Sequence, residues 1–142
     1  MARPVHQPAT PDEVDRVRVR LAEELSRLPE VAAAFLHGSF RDGLPFRDVD
    51  VAIFLHEGSE ELREPWTWEA KAAVSLTQAI GLPVDLRVVN DAPLGVLFHT
   101  TDGDLCWAYD EAALADRVEA IRLRYYDFQP FADRNLKGML DG

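Results

Sequence analysis

The sequence predicts an α/β fold in which helices pack on a small mixed β-sheet. Two observations carry this prediction. Segments with helical spacing of apolar residues alternate along the chain with short apolar runs rich in Val, Ile and Phe, which are residues that favour strands. The chain also has 142 residues, a length that suits one domain. We expect a loose lead-in over residues 1–9 and a single domain over residues 10–142.

The first helix is predicted from its start signal. Thr10 can cap the helix, Pro11 fits its first turn, and Glu13 can close a capping box. An apolar stripe at helical spacing extends the prediction to about Arg27. The stripe consists of Val14, Val17, Leu21, Leu25 and Leu28.

Two predicted strands separated by a turn follow this helix. Val31–His37 is apolar and too short for a typical helix, so it predicts a buried strand. Gly38-Ser39 ends that strand. Polar residues then lead to a second apolar run over residues 48–55, which predicts a second strand.

The rest of the chain alternates between helix and strand. We predict a helix over 65–80, a strand over 83–89, a short helix near 93–100, a strand over 104–109, and a helix from 111 to about 126. Gly81 is a suitable C-cap for the first of these helices, and Asn90 or Asp91 would cap the second.

Composition and charge restrict the possible function. The chain has 25 acidic and 15 basic residues and a formal net charge of −10. A general nucleic-acid binder needs a basic face to displace counterions, so no stable nucleic-acid binding is expected. No apolar run approaches the roughly 20 residues of a membrane span, and no signal-peptide pattern is present. We therefore expect a cytoplasmic protein without a membrane partner. The single cysteine, Cys106, permits no internal disulfide.

Asp48 and Asp50 form the most informative pair. Side chains alternate along a strand, so both would project from one side, about 7 Å apart. Aspartate is depleted in strands, and two like charges repel. A divalent cation resolves this conflict, because Mg²⁺ is held by one or two carboxylates together with phosphate oxygens of a substrate. On the pair alone, a turn cap beside a solvated strand edge would be the simpler interpretation.

Two further features favour a metal-dependent site. Gly38-Ser39 follows a buried strand, at a place where backbone N–H groups and a hydroxyl can cradle phosphates. Asp85 interrupts the third apolar strand in the same way as the aspartate pair interrupts the second. A Gly-Ser turn together with three aspartates in strands is hard to explain by structure alone. We therefore treat this set as a candidate catalytic site.

The Gly38-Ser39 turn, the Asp48-Val49-Asp50 segment and Asp85 resemble the signature of the DNA polymerase β-like nucleotidyltransferase superfamily. Within it, the chain is most similar to the minimal nucleotidyltransferases, the MntA-type antitoxins that are paired with HEPN-domain toxins. The likeness covers nearly the whole chain after residue 10. It includes Val84-Asp85-Leu86, Asn90-Asp91-Ala92-Pro93, Gly103, and the segment from Arg122 through Tyr125, Tyr126, Asp127 and Phe128 to Pro130.

This resemblance implies a polymerase β-like fold and transfer of AMP from ATP to a tyrosine of a HEPN-type partner toxin, which the transfer would neutralise. Asp48 and Asp50 would hold two Mg²⁺ or Mn²⁺ ions, and Asp85 would hold the ion nearest the acceptor. Gly38 and Ser39 would bind the phosphates of ATP. ATP and the toxin are then the expected partners of the chain.

The sequence departs from the family pattern on one side of the aspartate pair. Arg47 stands where the common form has a serine, and the loop between Gly43 and Asp48 is shorter than usual. Arg47 and Arg41 are weaker candidates for a phosphate contact, because arginine pairs well with phosphate oxygens.

Two other functions stay open at this point. A small-molecule nucleotidyltransferase, for example one that modifies an aminoglycoside, would use the same chemistry but needs additional structure around its acceptor. An antitoxin that masks its partner without catalysis would need no aspartates that repel one another. Tyr125, Tyr126 and Phe128 also have two interpretations, because they either pack on the sheet or form an edge that binds the partner.

Overall fold

A computed structural model describes residues 7–141 of the chain, and the side chains of residues 7–128. Four strands and four of the five α-helices follow one another in the predicted order, and the predicted turn after the first strand contains the fifth helix, which is short. In chain order they are α1 (Pro11–Leu25), β1 (Val31–His37), α2 (Gly38–Arg41), β2 (Val49–Leu55), a 3₁₀ helix (Glu60–Arg63), α3 (Pro65–Ile80), β3 (Val84–Val88), α4 (Leu94–Thr101), β4 (Asp104–Ala108) and α5 (Glu111–Asp141).

The strands form one mixed sheet in the order β3-β2-β1-β4. Strand β1 pairs antiparallel with both β2 and β4, whereas β2 and β3 are parallel. A parallel pair needs a crossover connection, and α3 supplies it between β2 and β3. This arrangement confirms the predicted small mixed sheet with helices packed on it.

Two apolar layers cover the two faces of the sheet. Alternate residues of β2, from Val49 to Leu55, belong to the core shared with α1 and α3. On the opposite face, Ala52 and Phe54 pack in a second cluster with residues of α4 and α5, among them Phe98 and Ile121. Asp50 lies two and four positions before Ala52 and Phe54 in β2. Because side chains alternate along a strand, it projects from the same face of the sheet, which α4 and α5 cover.

Local signals set the ends of α1 and α3 as predicted. The backbone N–H of Glu13 donates to Oγ1 of Thr10 over 3.1 Å, which is the expected N-cap bond. Helix α1 ends at Leu25, slightly before the predicted Arg27. Gly81 ends α3 in the left-handed conformation with φ of 83°, which glycine adopts without steric cost.

The predicted cap of α4 is wrong. Helix α4 starts after Pro93 and has no side-chain cap. Asn90 instead bonds to the end of β2. Its Oδ1 accepts from the N–H of Leu55, and its Nδ2 donates to the carbonyl oxygen of Leu55, both over 2.9 Å. The side-chain amide of Asn90 thereby bonds both the N–H and the carbonyl oxygen of Leu55. It is therefore engaged at the end of β2 and does not cap α4.

Helix α5 is longer than the sequence suggested, because it continues to Asp141 rather than ending near residue 126. Pro130 weakens the helical signal since proline removes a backbone donor, yet the helix continues through it. The predicted lead-in over residues 1–9 is described only from residue 7. Ala9, at its end, is buried in the core of α1 and α3. In the part of the chain that the structure describes, no helix is both long and apolar enough to cross a bilayer.

Helix α3 also bonds to the backbone of the edge strand β3. The N–H of Val84 donates to Oγ1 of Thr77 over 3.0 Å, and the N–H of Val88 donates to Oε2 of Glu69 over 2.9 Å. These bonds satisfy donors that an edge strand would otherwise leave open. They hold in place the strand that carries Asp85.

Candidate active site

The sheet brings His37, Asp50 and Asp85 into one row. His37 of β1 is the Cα partner of Asp50 in β2, and Asp50 is the Cα partner of Asp85 in β3. Directly paired residues in neighbouring strands point to the same face. The row therefore places two of the predicted carboxylates side by side, on the face that α4 and α5 cover further along.

Asp48 lies outside the strand in which the sequence predicted it, because β2 begins at Val49. It is exposed in the bend before β2, and its charge still reaches Asp50. Burial, followed by the charges of Asp85 and Asp48, raises the pKa of Asp50 above its usual value, while Arg87 opposes the rise. Asp85 is thus the direct strand neighbour of Asp50, and Asp48 acts on Asp50 by its charge from the bend before β2.

Gly38 is in direct contact with this cluster. Its φ is +80°, and a Cβ at this position would overlap with Oδ2 of Asp50. Both facts require glycine, the first because an L side chain is strained there and the second because the carboxylate occupies the space. Ser39 is the next residue, in the single turn of α2, and is partly buried. The predicted Gly-Ser turn therefore adjoins the carboxylates.

The two arginines that were weaker phosphate candidates differ in their surroundings. Arg41 forms ion pairs with Asp42 and Asp104, each over 3.3 Å, and so ties α2 to β4. Arg47 is exposed directly before Asp48, and within residues 7–128 it has no ion pair. Arg47 thus keeps its guanidinium available beside the carboxylates, whereas Arg41 has a structural role.

His37 forms a wall of the site. Its ring fills the space that a Cβ on Gly103 would need. Among the side chains described, its buried Nε2 has no hydrogen-bond partner. Burial and the nearby charge of Arg41 lower the pKa of His37, while a hydrogen bond with the backbone of Thr100 opposes this shift. The lowered pKa favours the neutral form of the imidazole.

A cavity of about 370 Å³ opens beside the carboxylates, between α4 and strands β2 and β3. We call it the α4 cavity. Asp50 and Asp85 lie at one end of it, and Arg87, Val89 and Val96 line it further along. Its other lining residues are His37, Val51, Ala52, His99 and Thr100. This size falls within the roughly 300–1,000 Å³ of small-ligand sites.

Arg87 is the site residue that the sequence analysis missed. It lies two positions after Asp85 in β3 and is the Cα partner of Ala52. Side chains two apart in a strand share a face, so the spacing Asp-x-Arg already contained this information. Arg87 is exposed and reaches the α4 cavity.

The donor set suits a divalent cation that shares its ligands with a substrate. Within the described residues, no three His, Cys, Asp or Glu side chains form a metal-binding group by themselves. Mg²⁺ commonly takes only one or two carboxylates, with phosphate oxygens and waters as its other ligands. Burial, followed by the charges of Asp85 and Asp48, raises the pKa of Asp50, and a bound cation would offset both effects. The residues therefore fit such an ion.

Residues 20–112 match a family model described as polymerase beta, nucleotidyltransferase. This range is more than half of the chain, and it contains the Gly38 turn and all three carboxylates. The chain belongs to this nucleotidyltransferase family. No curated protein matches it.

Solved structures of toxin–antitoxin complexes contain chains with a similar fold. One is the tri-AMPylated HEPN toxin of Shewanella oneidensis in complex with MNT antitoxin, with a TM-score of 0.63 and 13% identity over 89% of this chain and 98% of that chain. A toxin–antitoxin structure with AMP-PNP has a TM-score of 0.63 and 16% identity over 87% and 98%. A MntA–HepT complex has a TM-score of 0.58 and 13% identity over 89% and 96%. These similarities confirm the predicted polymerase β-like fold.

Proposed function

We propose that this member of the polymerase β nucleotidyltransferase family transfers AMP from ATP to a tyrosine hydroxyl of a HEPN-type toxin and thereby neutralises it. The observation that carries the proposal is the pairing of Asp50 with Asp85 beside the Gly38 turn, where a Cβ on Gly38 would overlap with the Asp50 carboxylate, with the charge of Asp48 acting on the same residue. Two structural relatives add support, since one contains an AMPylated HEPN toxin and another contains AMP-PNP. The first of these relatives also supports the addition of more than one AMP.

The three carboxylates would hold two Mg²⁺ or Mn²⁺ ions. When bound, the ions would stabilise the charge on the attacking and leaving oxygens of an in-line displacement. Asp48 and Asp50 would each serve both ions, and Asp85 would serve the ion on the acceptor side. Asp85 is the exposed member of the row, so an incoming hydroxyl reaches it from solvent. It would also receive the proton of that hydroxyl.

The turn after β1 would hold the β- and γ-phosphates of ATP. Its backbone N–H groups and the Ser39 hydroxyl are donors next to the carboxylates, and charge-assisted hydrogen bonds to phosphate are strong. Arg47 is exposed beside Asp48 and would add a positive charge there. The neutral His37 would exclude water from the inner side of the site rather than bind phosphate.

The exposed end of α5 would contact the toxin. Tyr126 and Phe128 are 59% and 55% exposed, whereas Tyr125 stacks on Phe98 of α4 with ring centroids 3.9 Å apart. Tyr125 and Tyr126 thus contact Phe98 of α4, and Tyr126 and Phe128 face solvent. Pro130 lies outside the described side chains. The net charge of −10 would favour a basic partner surface.

The proposal is tested with the protein, ATP, Mg²⁺ and the purified HEPN-type toxin. Intact mass spectrometry should show the toxin gaining the mass of AMP, and its toxicity should fall. A double variant with Asp48→Asn and Asp50→Asn should bind the toxin, leave its mass unchanged and leave its toxicity intact. A control with Asp91→Asn and Asp116→Asn removes the same charge from exposed positions and should behave as the wild type does.

The same experiment distinguishes the alternatives. If the double variant neutralises the toxin as fully as the wild type, the protein acts by masking its partner. The α4 cavity makes a small-molecule acceptor the second candidate function. Release of pyrophosphate on addition of an aminoglycoside, with no toxin present, would favour that function over the proposed one.

A further inference from the structure

The outer edge of β3 has one backbone donor without a partner. Strand β2 bonds with the carbonyl oxygen of Pro83 and with the N–H of Val89. Because backbone groups alternate in direction along a strand, the N–H groups of Val84, Leu86 and Val88 point away from β2. Side chains of α3 accept from the first and the last of these groups. Within residues 7–128, no acceptor is found for the N–H of Leu86.

A single position of α3 explains the missing acceptor. Glu69, Ala73 and Thr77 are spaced four apart and share one face of the helix, and the outer two accept the bonds from β3. Four helical residues rise about 6.0 Å and two strand residues about 6.6 Å, so this row of side chains stays in step with the strand. Ala73 therefore stands opposite Leu86, where its methyl group cannot accept a hydrogen bond.

An open cavity of about 480 Å³ lies at this position, and we call it the β3 cavity. Its lining residues are Glu69, Ala70, Ala73, Asp85, Leu86 and Arg87. Asp85 and Arg87 also line the α4 cavity, so the β3 cavity adjoins the candidate active site. A ligand that bonds to the N–H of Leu86 would therefore lie beside Asp85, the exposed carboxylate that the proposed function assigns to the acceptor.

An extended peptide segment has the chemistry that this edge requires. A free strand edge binds such segments through main-chain hydrogen bonds. Only one residue of the segment can pair here, because α3 already occupies the donors on both sides of Leu86. The side chain of that residue would project to the face of Leu86, which α1 and α3 cover. Its two chain neighbours would project to the opposite face, where Asp85 lies.

We propose that the β3 cavity binds an extended segment of the HEPN-type toxin that carries the acceptor tyrosine, and that the N–H of Leu86 donates to a main-chain carbonyl oxygen of this segment. The inference rests on the proposed function and adds the surface on which the acceptor docks. The bond would fix the register of the segment, so that the tyrosine next to the paired residue reaches Asp85. Other hydroxyl side chains of the toxin would be held away from it.

Amide hydrogen exchange tests this bond directly. The ¹⁵N-labelled protein is followed by NMR, alone and with unlabelled toxin, Mg²⁺ and α,β-methylene-ATP, which cannot release pyrophosphate. In the free protein, the N–H of Leu86 should exchange at least about tenfold faster than those of Val84 and Val88, which are bonded to α3. In the complex, exchange at Leu86 should slow by about tenfold or more, and exchange at the other two should stay within about twofold.

Two variants of Ala73 separate the bond from the space around it. Ala73→Thr supplies the missing acceptor in the way that Thr77 bonds to Val84, whereas Ala73→Val has similar bulk and no acceptor. In the free protein, the first variant should slow exchange at Leu86 and the second should not. The KM for the toxin should be about three to ten times higher in Ala73→Thr than in Ala73→Val, the range for one hydrogen bond. The KM for ATP should not change in either variant.

Three results would overturn the inference. One is an N–H of Leu86 that exchanges as slowly as that of Val84 in the free protein, and another is an N–H of Leu86 that gains no protection in the wild-type complex. The third is an equal KM for the toxin in the two variants, since bulk and not the donor would then decide. A toxin that binds but receives no AMP from ATP would instead count against the proposed function. AMP transfer with an unprotected Leu86 would leave that function intact.

Discussion

Gly38 is constrained both by its backbone conformation and by its contact with the Asp50 carboxylate. Replacement by alanine would strain a backbone with φ of +80° and would displace the Asp50 carboxylate, because the new Cβ would overlap with Oδ2. We expect Gly38→Ala to lower the free energy of unfolding by about 2–4 kcal/mol, the sum of the conformational strain and the overpacking. Urea denaturation measures this loss, and calorimetry should show that ATP binding with Mg²⁺ is lost as well.

Gly43 provides the matched control for that prediction. It has a similar φ of +73°, and a Cβ there would meet no atom within 4 Å. Gly43→Ala should therefore cost only the conformational strain, about 1–2 kcal/mol, and should leave ATP binding intact. Equal losses of stability in the two variants would show that the contact with Asp50 has no energetic weight.

Asp50 gives a pH-dependent prediction. Burial and then the charges of Asp85 and Asp48 raise its pKa in the folded protein, so the folded state holds this proton more tightly than the unfolded chain does. The protonated carboxyl of Asp50 therefore stabilises the fold fully at pH values below its pKa in the unfolded chain, near 3.8. This stabilisation is lost as the pH rises through the pKa of Asp50 in the folded protein. At pH 7 in EDTA, Asp50→Asn should raise the melting temperature, and the gain should vanish towards pH 4.

The control for the Asp50 prediction is Asp91→Asn, which removes one charge from an exposed position. It should change the melting temperature little at either pH. A melting temperature of Asp50→Asn at or below that of the wild type at pH 7 would mean that the three carboxylates do not strain the metal-free protein. The assignment of the cluster as a cation site would then lose its electrostatic basis.

At the scale of the elements, α3 fixes the position of the edge strand β3. Thr77→Val replaces the acceptor of the Val84 N–H with a methyl group of similar size. An unsatisfied, partly buried donor should reduce the free energy of unfolding by about 1–2 kcal/mol. Because Val84 precedes Asp85, we also expect AMP transfer to fall. Chemical denaturation and transfer rates measure the two effects.

The matched control for Thr77→Val is Thr67→Val, on an exposed position of the same helix. It makes the same chemical change away from β3 and should leave the transfer rate unaltered. A Thr77→Val variant as stable and as active as the Thr67→Val variant would show that the strand finds another acceptor for its N–H, and that α3 does not position Asp85.

At the scale of the whole molecule, charge opposes the binding of a bare nucleotide. The chain has a net charge of −10, and the site adds three carboxylates where a triphosphate would lie. We expect ATP affinity to fall by at least about tenfold, or 1.4 kcal/mol, when EDTA replaces Mg²⁺, since the cation would otherwise bridge carboxylate and phosphate. Isothermal titration calorimetry with and without EDTA checks this. Equal affinities would exclude the carboxylates as ligands of a nucleotide-bound ion.

The candidate site was predictable where its signals are local. Gly38-Ser39 after an apolar strand, and aspartates within apolar strands, are visible over a few residues, and the structure brings them together. Asp48 was misplaced by one residue, because a strand end depends on which backbone groups find partners in the neighbouring strand. Arg87 was missed, although its two-residue spacing from Asp85 places it on the same face.

The sequence by itself determined the order of helices and strands and most of their ends, because caps, turns and apolar periodicity act over a few residues. The bonding of Asn90 to Leu55 was decided by tertiary structure, since the two residues are far apart in the chain. The same holds for the pairing of Asp50 with Asp85, which follows from the parallel register that the α3 crossover imposes. The α4 cavity also belongs to this class, because its walls come from two strands and a helix whose packing no single segment encodes.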